Sequence, residues 1–557
     1  MQPVLYSEKI REIDRLTVEN YHTPSLLLME AAATACVGAI QSRFAEELQG
    51  KTALVLCGKG NNGGDGAAIA RRLTQLGVHC DVILFGKLLD TSGDARTNLD
   101  AVSRLAAFEA GSSSKPAPLT FSECEGIATW EQLARPRKTY DVIIDALFGT
   151  GLTRPLEDVF VKVIEHLSLL RCARERVSGI QPLVLAVDIP SGLNADNSNP
   201  IGPAVEADIT VTFTTPKPAN VLPPACEFCG ELVVADIGSP ASLIEDAKPG
   251  LFVTEADDVR RWLVSTRYTP ESFKNTHGHV LIVAGSRDYT GAAALCGNAA
   301  MRSGAGLVTV ATPASAQSTV AARLMAEVMT TALAETDRGV VSDEAISHLQ
   351  KLSSKSTVLA VGPGLTSDDE RTRRFVQSVV ERRTQPVVID ADGLNCLAPW
   401  PSTLTGSEQF PLVLTPHPGE MLRLLGADNK SSLVDRVSAA REFATTYKLI
   451  LVLKGSRPLV VAPDGRVFVN PTGNPGLGTA GSGDTLTGLI AGFLSQAFGS
   501  LKQDANAVEA TLAALYVGGL AGDFAARKLG MRTMVASDIR EHFSDAIRFL
   551  DEDGELP

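Results

Sequence analysis

At 557 residues the chain exceeds what one hydrophobic core supports, so two or more domains are expected. A hydrophobic fraction of 44% with 21% charged residues describes a globular protein, and 48 Gly with 30 Pro imply many tight turns. The formal net charge of −13 argues against a general nucleic-acid binder, which needs a basic surface.

In chain order, Met1 to Glu12 carries no apolar signal core, and no later run has the uninterrupted apolar length of a membrane span. A cytoplasmic protein without membrane contact is therefore expected. Ser7 to Leu48 reads as helix, with Ile10, Ile13, Leu16 and then Leu27, Leu28 and Ala31 to Ala35 on a recurring face. Thr52–Cys57 is a short buried strand running into Gly58-Lys59-Gly60-Asn61-Asn62-Gly63-Gly64-Asp65-Gly66, with a helix expected from Ala67 to Leu76. Strand, glycine loop and helix are the context that gives a G-x-G-x-x-G match meaning. The acidic residue that clamps ribose after the second strand is missing, because Val78 to Phe85 ends in Gly86-Lys87. Two more strands, Tyr140 to Asp145 and Pro182 to Asp188, run into glycine-rich turns, and the polar stretches 110–119 and 171–182 read as surface loops. In an open parallel sheet, ligands sit beyond strand carboxyl ends, so Asp65, Asp145 and Asp188 are expected in one crevice. Each alone is as readily a turn or cap residue.

The segments GKGNNGGDG, DALFGTGL and VDIPSGL resemble, in this order, the NAD(P)H-hydrate epimerase domain, and the resemblance covers about residues 1–240. It implies a Rossmann-like doubly wound domain with Asn61, Asn62, Gly63, Gly64, Asp65, Gly149, Thr150, Gly151, Leu152, Thr153 and Arg154 around the substrate. It also implies potassium held by Asn62, Asp145 and Ser191, with Asp188 as the acid–base group that also contacts substrate. A hard monovalent cation takes oxygen ligands, which these three side chains supply. Cys226-Glu227-Phe228-Cys229 follows as a lone CxxC among nine scattered Cys; without a second ligand pair, thiols are expected there rather than zinc.

Asp236 to Pro249 shifts in composition and marks a domain boundary near residue 240, with Thr254 to Arg261 read as a charged bridge. Beyond it, strands are expected at Val280 to Ala284, Leu307 to Val310, Thr357 to Val361, Pro386 to Asp390, Leu412–Leu414 and Leu449 to Leu453, alternating with helices in a second α/β domain. The helix from Thr290 to Arg302 is rich in small residues, which let it lie close on a neighbour. His417, fixed between two prolines after a strand, is placed to touch ligand, and Lys454 to neutralise phosphate or stay solvated. Pro471 to Phe493 ends in Gly481-Ser482-Gly483 at a helix start, where bare N–H groups attract anions. Asp484 there caps the helix or takes a proton from an attacking hydroxyl.

HGHVLIVAGS, YTGAAAL, GPGL, VIDADGLN, LTPHPGEMLRLLG, LKGSRPLV and GNPGLGTAGSGDTLTGLIAG resemble the ribokinase-like ADP/ATP-dependent NAD(P)H-hydrate dehydratase domain over about residues 250–545. The resemblance implies nucleotide against Lys454, Gly455, Ser456, Arg457, Pro458 and Gly483, and hydrate against Ala292, Gly364, His417 and Asp484. Thr366-Ser367 stands where that family often has a second Gly, and Asn275 where Gly commonly follows the lysine. Together the two resemblances imply repair of hydrated NADH and NADPH. One half epimerises the 6R and 6S hydrates; the other dehydrates the 6S form with ADP and Mg2+. Small-molecule substrates and a homo-oligomer are expected. The competing reading is a ribokinase-type small-alcohol or vitamin-precursor kinase carrying a non-catalytic nucleotide-sensing first domain.

Overall fold

The computed structural model describes the chain except residues 46, 113–116, 135–138, 179–180, 428 and 552–557. It divides into two compact units, Pro3–Pro249 and Met1–Gln2 with Gly250–Pro557.

The first unit is built on Thr52–Cys57 (β1), His79–Phe85 (β2), Leu119–Cys124 (β3), Val142–Ala146 (β4), Leu183–Val187 (β5), Ile209–Phe213 (β6) and Glu231–Ala235 (β7). They form one sheet in the order β3-β2-β1-β4-β5-β6-β7, parallel throughout. Both faces are covered, which is why these strands read as unbroken apolar runs. Along β1, Ala53, Val55 and Cys57 face one core with helix Ser25–Arg43, while Leu54 and Leu56 face another with Val163 and Leu167 of helix Val159–Ser178. Strand order reverses between β1 and β4. There a Cβ on Gly58 would sit 2.0 Å from the Leu147 carbonyl oxygen, so only glycine lets the two turns meet.

Several expectations are revised here. The glycine stretch is not a loop, because helix Asn61–Gln75 begins inside it. The stretch expected to be one helix is two, Ser7–Tyr21 and Ser25–Arg43, broken where His22 takes a left-handed φ of 54° and Pro24 follows. The second, 19 residues long, is apolar enough by composition to cross a membrane, yet Leu28, Ala32, Ala33, Cys36, Val37 and Ile40 are buried in the core. Helix Val159–Ser178 runs through most of 171–182, and helix Gly93–Ser112 takes in 110–112; residues 113–116 and 179–180 lie outside the described ones.

The second unit contains Leu251–Val253 (β8), His279–Val283 (β9), Leu307–Pro313 (β10), Met329–Leu333 (β11), Val358–Val361 (β12), Val387–Ile389 (β13), Leu412–Leu414 (β14), Ile450–Leu453 (β15), Leu459–Val461 (β16) and Val467–Val469 (β17). Their order is β8-β17-β16-β15-β14-β13-β12-β9-β10-β11. The sheet is parallel except that β16 runs antiparallel to both β15 and β17. That hairpin, like β8 and β11, was not anticipated; β8, β16 and β17 have three residues each, which leave little periodic signal. The expected charged bridge is a helix, Ala256–Ser265, whose Trp262 stacks on Phe493 at 4.4 Å. Helix Ser482–Gln496 lies against helix Thr290–Arg302 so closely that a Cβ on Gly488 would meet the Cys296 carbonyl at 2.2 Å. The small residues of both helices are explained by that approach.

Candidate active sites beyond the strand ends

In the first unit a cavity of about 710 Å³ opens beyond the β1/β4 switch point. Asn61, Asn62, Asp65, Asp188 and Gly149 to Leu152 line it, as do Asp14 and Lys217. Asp188 follows β5 with φ 68°, a left-handed conformation that costs on the order of 1 kcal/mol and that Asp tolerates better than most residues. Its Oδ1 accepts from the wholly buried Lys217 ammonium at 2.5 Å and from Thr212 Oγ1 at 3.0 Å. Lys217 also donates to Thr212 Oγ1 at 2.9 Å and to the Phe213 carbonyl at 3.1 Å, so all its protons are committed.

Asp145 is not in the cavity wall. It is completely buried behind it, where Ser191 donates to it twice, from Oγ at 2.6 Å and from its backbone N–H at 2.7 Å. Burial pushes the Asp145 carboxyl up to about 6, against the pull of those Ser191 hydrogen bonds. Ser191 Oγ in turn accepts from the Phe148 N–H at 3.0 Å. Asn62 Oδ1 lies 3.2 Å from where a Gly149 Cβ would stand, and Asn62 Nδ2 is buried without a partner. Gly63 and Gly64 point elsewhere: their Cβ atoms would strike the Gly58 carbonyl at 1.8 Å and Ala95 Cα at 2.7 Å, so tight backbone packing explains them. Thr153 and Arg154 are exposed and outside the lining. Cys226 and Cys229 are buried, with Cys229 Sγ donating to the Ala219 carbonyl at 3.8 Å. Among the described residues no group of three or more His, Cys, Asp and Glu is placed to share a metal ion.

In the second unit the site gathers beyond β12 to β15. Gly364, φ 68°, sits where a Cβ would press on Ala292 Cβ and Tyr289 Cβ at 3.0 Å. Thr366 holds φ 71°, a strained value for a β-branched residue, and its N–H donates to Asp392 at 2.9 Å. Asp390, at the end of β13, accepts from Lys454 Nζ and from Thr487 Oγ1, both at 2.7 Å. Asp390, Glu420 and Asp484 raise Lys454 above its ordinary range although burial acts the other way. Gly481, φ 84°, caps helix Ser482–Gln496, which places Asp484 in its first turn without a side-chain capping bond. Burial first, then the neighbouring Asp390, push the Asp484 carboxyl up to about 6, with Lys454 opposing. The cap reading of Asp484 is thus replaced by a free carboxylate beside a lysine. A Cβ on Gly483 would stand 3.4 Å from Lys454 Nζ, so the helix start and the lysine face each other.

His417 is the residue that caps. Its Nδ1 accepts from the Gly419 and Glu420 N–H groups at 3.0 and 3.3 Å, and Glu420 answers by accepting from the His417 N–H at 2.8 Å. The other edge of the ring remains half exposed. Gly455 has φ 143° and Arg457 φ 46°, and Gly455 and Ser456 are exposed at the head of the β15–β16 hairpin. Sequence reasoning missed Asp14, Lys217 and Asp390. For Asp390 the signal was the one already used at Asp145 and Asp188, an Asp closing an apolar strand. Lys217, four residues after the end of β6 and between two prolines, offered a weaker one.

Residues 280–544 match the family model described as NAD(P)H-hydrate dehydratase, and residues 25–219 match that described as YjeF-related protein N-terminus. The bifunctional NAD(P)H-hydrate repair enzyme Nnr of Moorella thermoacetica is 40% identical over 545 residues, 98% of this chain and 96% of that one. Its namesake in Thermofilum pendens is 37% identical over 98% of this chain and 96% of its own, and that of Escherichia coli 30% identical over 96% and 92%. Among solved structures, the ADP/ATP-dependent NAD(P)H-hydrate dehydratase of Bacillus subtilis, co-crystallised with ATP/Mg2+, is 28% identical. It covers 54% of this chain and 98% of its own, with a TM-score of 0.45.

Proposed function

Because this chain belongs to the family of bifunctional NAD(P)H-hydrate repair enzymes, we infer that it restores hydrated NADH and NADPH through two activities, one in each unit. The first unit interconverts the 6R and 6S hydrates. The second consumes the 6S hydrate and a nucleotide phosphoryl donor to regenerate NAD(P)H. The observation that carries the reading is the 40% identity, which runs over 98% of the chain and so spans both strand-end sites. A kinase with a non-catalytic nucleotide-sensing first unit leaves the buried Asp188–Lys217 pair without a task.

In the second unit, Asp484 accepts the proton of the C6 hydroxyl as that oxygen attacks the terminal phosphorus of the donor, which we take to be ADP. The N–H groups at the start of helix Ser482–Gln496 face the phosphoryl oxygens, and Lys454, Gly455, Ser456, Arg457 and Pro458 bind the nucleotide. AMP leaves. The phosphorylated hydrate then loses phosphate, a far better leaving group than hydroxide, and NAD(P)H forms with release of a proton. Ala292, Gly364 and His417 line the hydrate side. Mg2+, when bound, neutralises charge on the donor phosphates.

In the first unit, Asp188 handles protons at C6, and Lys217 and Thr212 hold its carboxylate in one orientation. Asp145, Ser191 and Asn62 suit potassium. Asp145 is wholly buried with no cationic partner among the described residues and is bound by the Ser191 hydroxyl, while the Asn62 amide oxygen stands against the nearby Gly149 turn; carboxylate, hydroxyl and amide oxygens are the donors a hard monovalent cation takes. Asp145, Ser191 and Asn62 would hold potassium there, which would supply a positive charge to offset the buried Asp145 carboxylate.

A mixed 6R/6S pool with ADP tests both activities by NADH absorbance and phosphate release. Wild type consumes the pool completely. Asp188→Ala stops near half after subtraction of spontaneous epimerisation, and Asp484→Asn lowers NADH formation about 1,000-fold while retaining nucleotide binding. Rapid dehydration by Asp484→Asn refutes its role as base.

A further inference from the structure

Four titratable side chains converge on the first unit's cavity: Asp14 from helix Ser7–Tyr21, Asp65 from helix Asn61–Gln75, and Asp188 and Lys217 from beyond β5 and β6. One cation faces three carboxyls, and it is already committed, since Lys217 Nζ sits 2.5 Å from Asp188 and spends its remaining protons on Thr212 and Phe213. Asp65 is 8% exposed and makes no hydrogen bond among the described residues. Asp14 Oδ1 is buried without a partner. The other charged groups lining the cavity lie at its mouth: Arg11, Arg15 and Lys59 are exposed, Arg15 is paired with Glu19, and Asp94 is half-buried. A carboxyl confined in such surroundings keeps its proton, because the interior penalises an unpaired anion.

We propose that Asp14 is a second catalytic residue of the epimerase cavity, the general acid that protonates the departing C6 hydroxyl while the Lys217-paired Asp188 serves as base. Asp14 gives its proton to the hydroxyl oxygen as the C6–O bond breaks, and water leaves with the bonding pair. The N1 lone pair closes a C6=N1 iminium, whose positive charge the Asp188 carboxylate and the anionic Asp14 offset. Water then adds to the other ring face, the π electrons return to N1, and the proton that water sheds passes to Asp188. Transfer of one proton back to Asp14 resets the cluster. Burial, Asp188 and the opposing Lys217 leave Asp14 near 6, high enough to be partly protonated at neutral pH. Burial, then Asp188 and Asp14, push the Asp65 carboxyl well above the usual carboxylate range.

This rests on the epimerase reading of the unit, and one set of measurements separates the two. R-to-S conversion is followed in the full-length protein across about pH 5 to pH 8, with the spontaneous rate subtracted at each point. Wild type accelerates conversion, and its kcat declines as pH rises through about 6. Asp14→Asn, folded by its melting curve, loses about 100-fold in kcat and loses that decline, while Asp14→Glu recovers at least a tenth of the rate. No acceleration by wild type overturns the epimerase reading itself. Acceleration by wild type with Asp14→Asn within threefold and the same pH profile overturns the assignment of Asp14 alone. If Asp14→Asn does not fold, a wild-type kcat that stays flat or climbs over the same range overturns it without any variant.

Discussion

Each unit places one lysine among several carboxylates beyond the ends of a parallel sheet, and the two sites differ in which carboxylate the lysine takes. In the first unit Lys217 binds Asp188, the group assigned to the chemistry. In the second, Lys454 binds Asp390, a residue also held by Thr487, and Asp484 has no ion-pair partner among the described residues. The difference matches the tasks. A group that must collect a hydroxyl proton near neutral pH works best when its own proton affinity is raised, and Asp484 is pushed up to about 6. A carboxylate that offsets a developing iminium before it takes up the proton of the added water is served by a clamp to a cation. The lesson is that a buried lysine at a strand end does not by itself mark a phosphate site; its partner decides what it does.

The sharpest way to break this comparison is to remove each lysine. Lys217→Met strands a buried carboxylate, a loss of about 3–5 kcal/mol, and is expected to lower the unit's melting midpoint by about 10 °C and R-to-S turnover about 100-fold. Lys454→Met likewise strands Asp390, whose side chain is only 1% exposed, so it costs a similar amount of stability but is expected to lower dehydration and spare R-to-S turnover. Loss of both activities in either variant overturns the contrast.

A second test uses pH. Asp484 acts as a base only when ionised, so dehydration kcat should fall about tenfold per unit as pH drops below about 6. Asp390→Asn removes the neighbouring negative charge and frees Lys454, which moves that midpoint lower. An unmoved midpoint means Asp390 does not tune Asp484.

The smallest effect concerns Asp145. Its folded carboxyl is raised to about 6 from an ordinary 3.8, so the folded state holds the proton more tightly than the unfolded one. The stability this contributes is complete below the ordinary value and is lost as pH rises through about 6. Potassium bound to the ionised form offsets that loss. The melting midpoint should therefore gain a few degrees from KCl over tetramethylammonium chloride at pH 8, and little at pH 5. An equal gain at both pH values removes the cation from Asp145.

The sequence was most legible where strands end. Thr52–Cys57 and Leu412–Leu414 stand as expected, and Asp188 and Asp484 stood out as candidates because a polar residue closing an apolar strand or opening a helix breaks a strong pattern. The glycines were harder to read. A Cβ on Gly63 or Gly64 would strike Gly58 or Ala95, a packing demand that exists only once those residues are in place. His417 looked like a ligand group and spends one ring nitrogen capping its own helix.

The residues alone determined two α/β units, their membership in a repair-enzyme family and the strand-end turns that carry chemistry, because apolar periodicity and motif chemistry are local. Which lysine neutralises which carboxylate was decided by the fold. Lys217 meets Asp188 and Lys454 meets Asp390 from distant stretches of chain, and proton affinity follows from burial and from the neighbours that folding supplies.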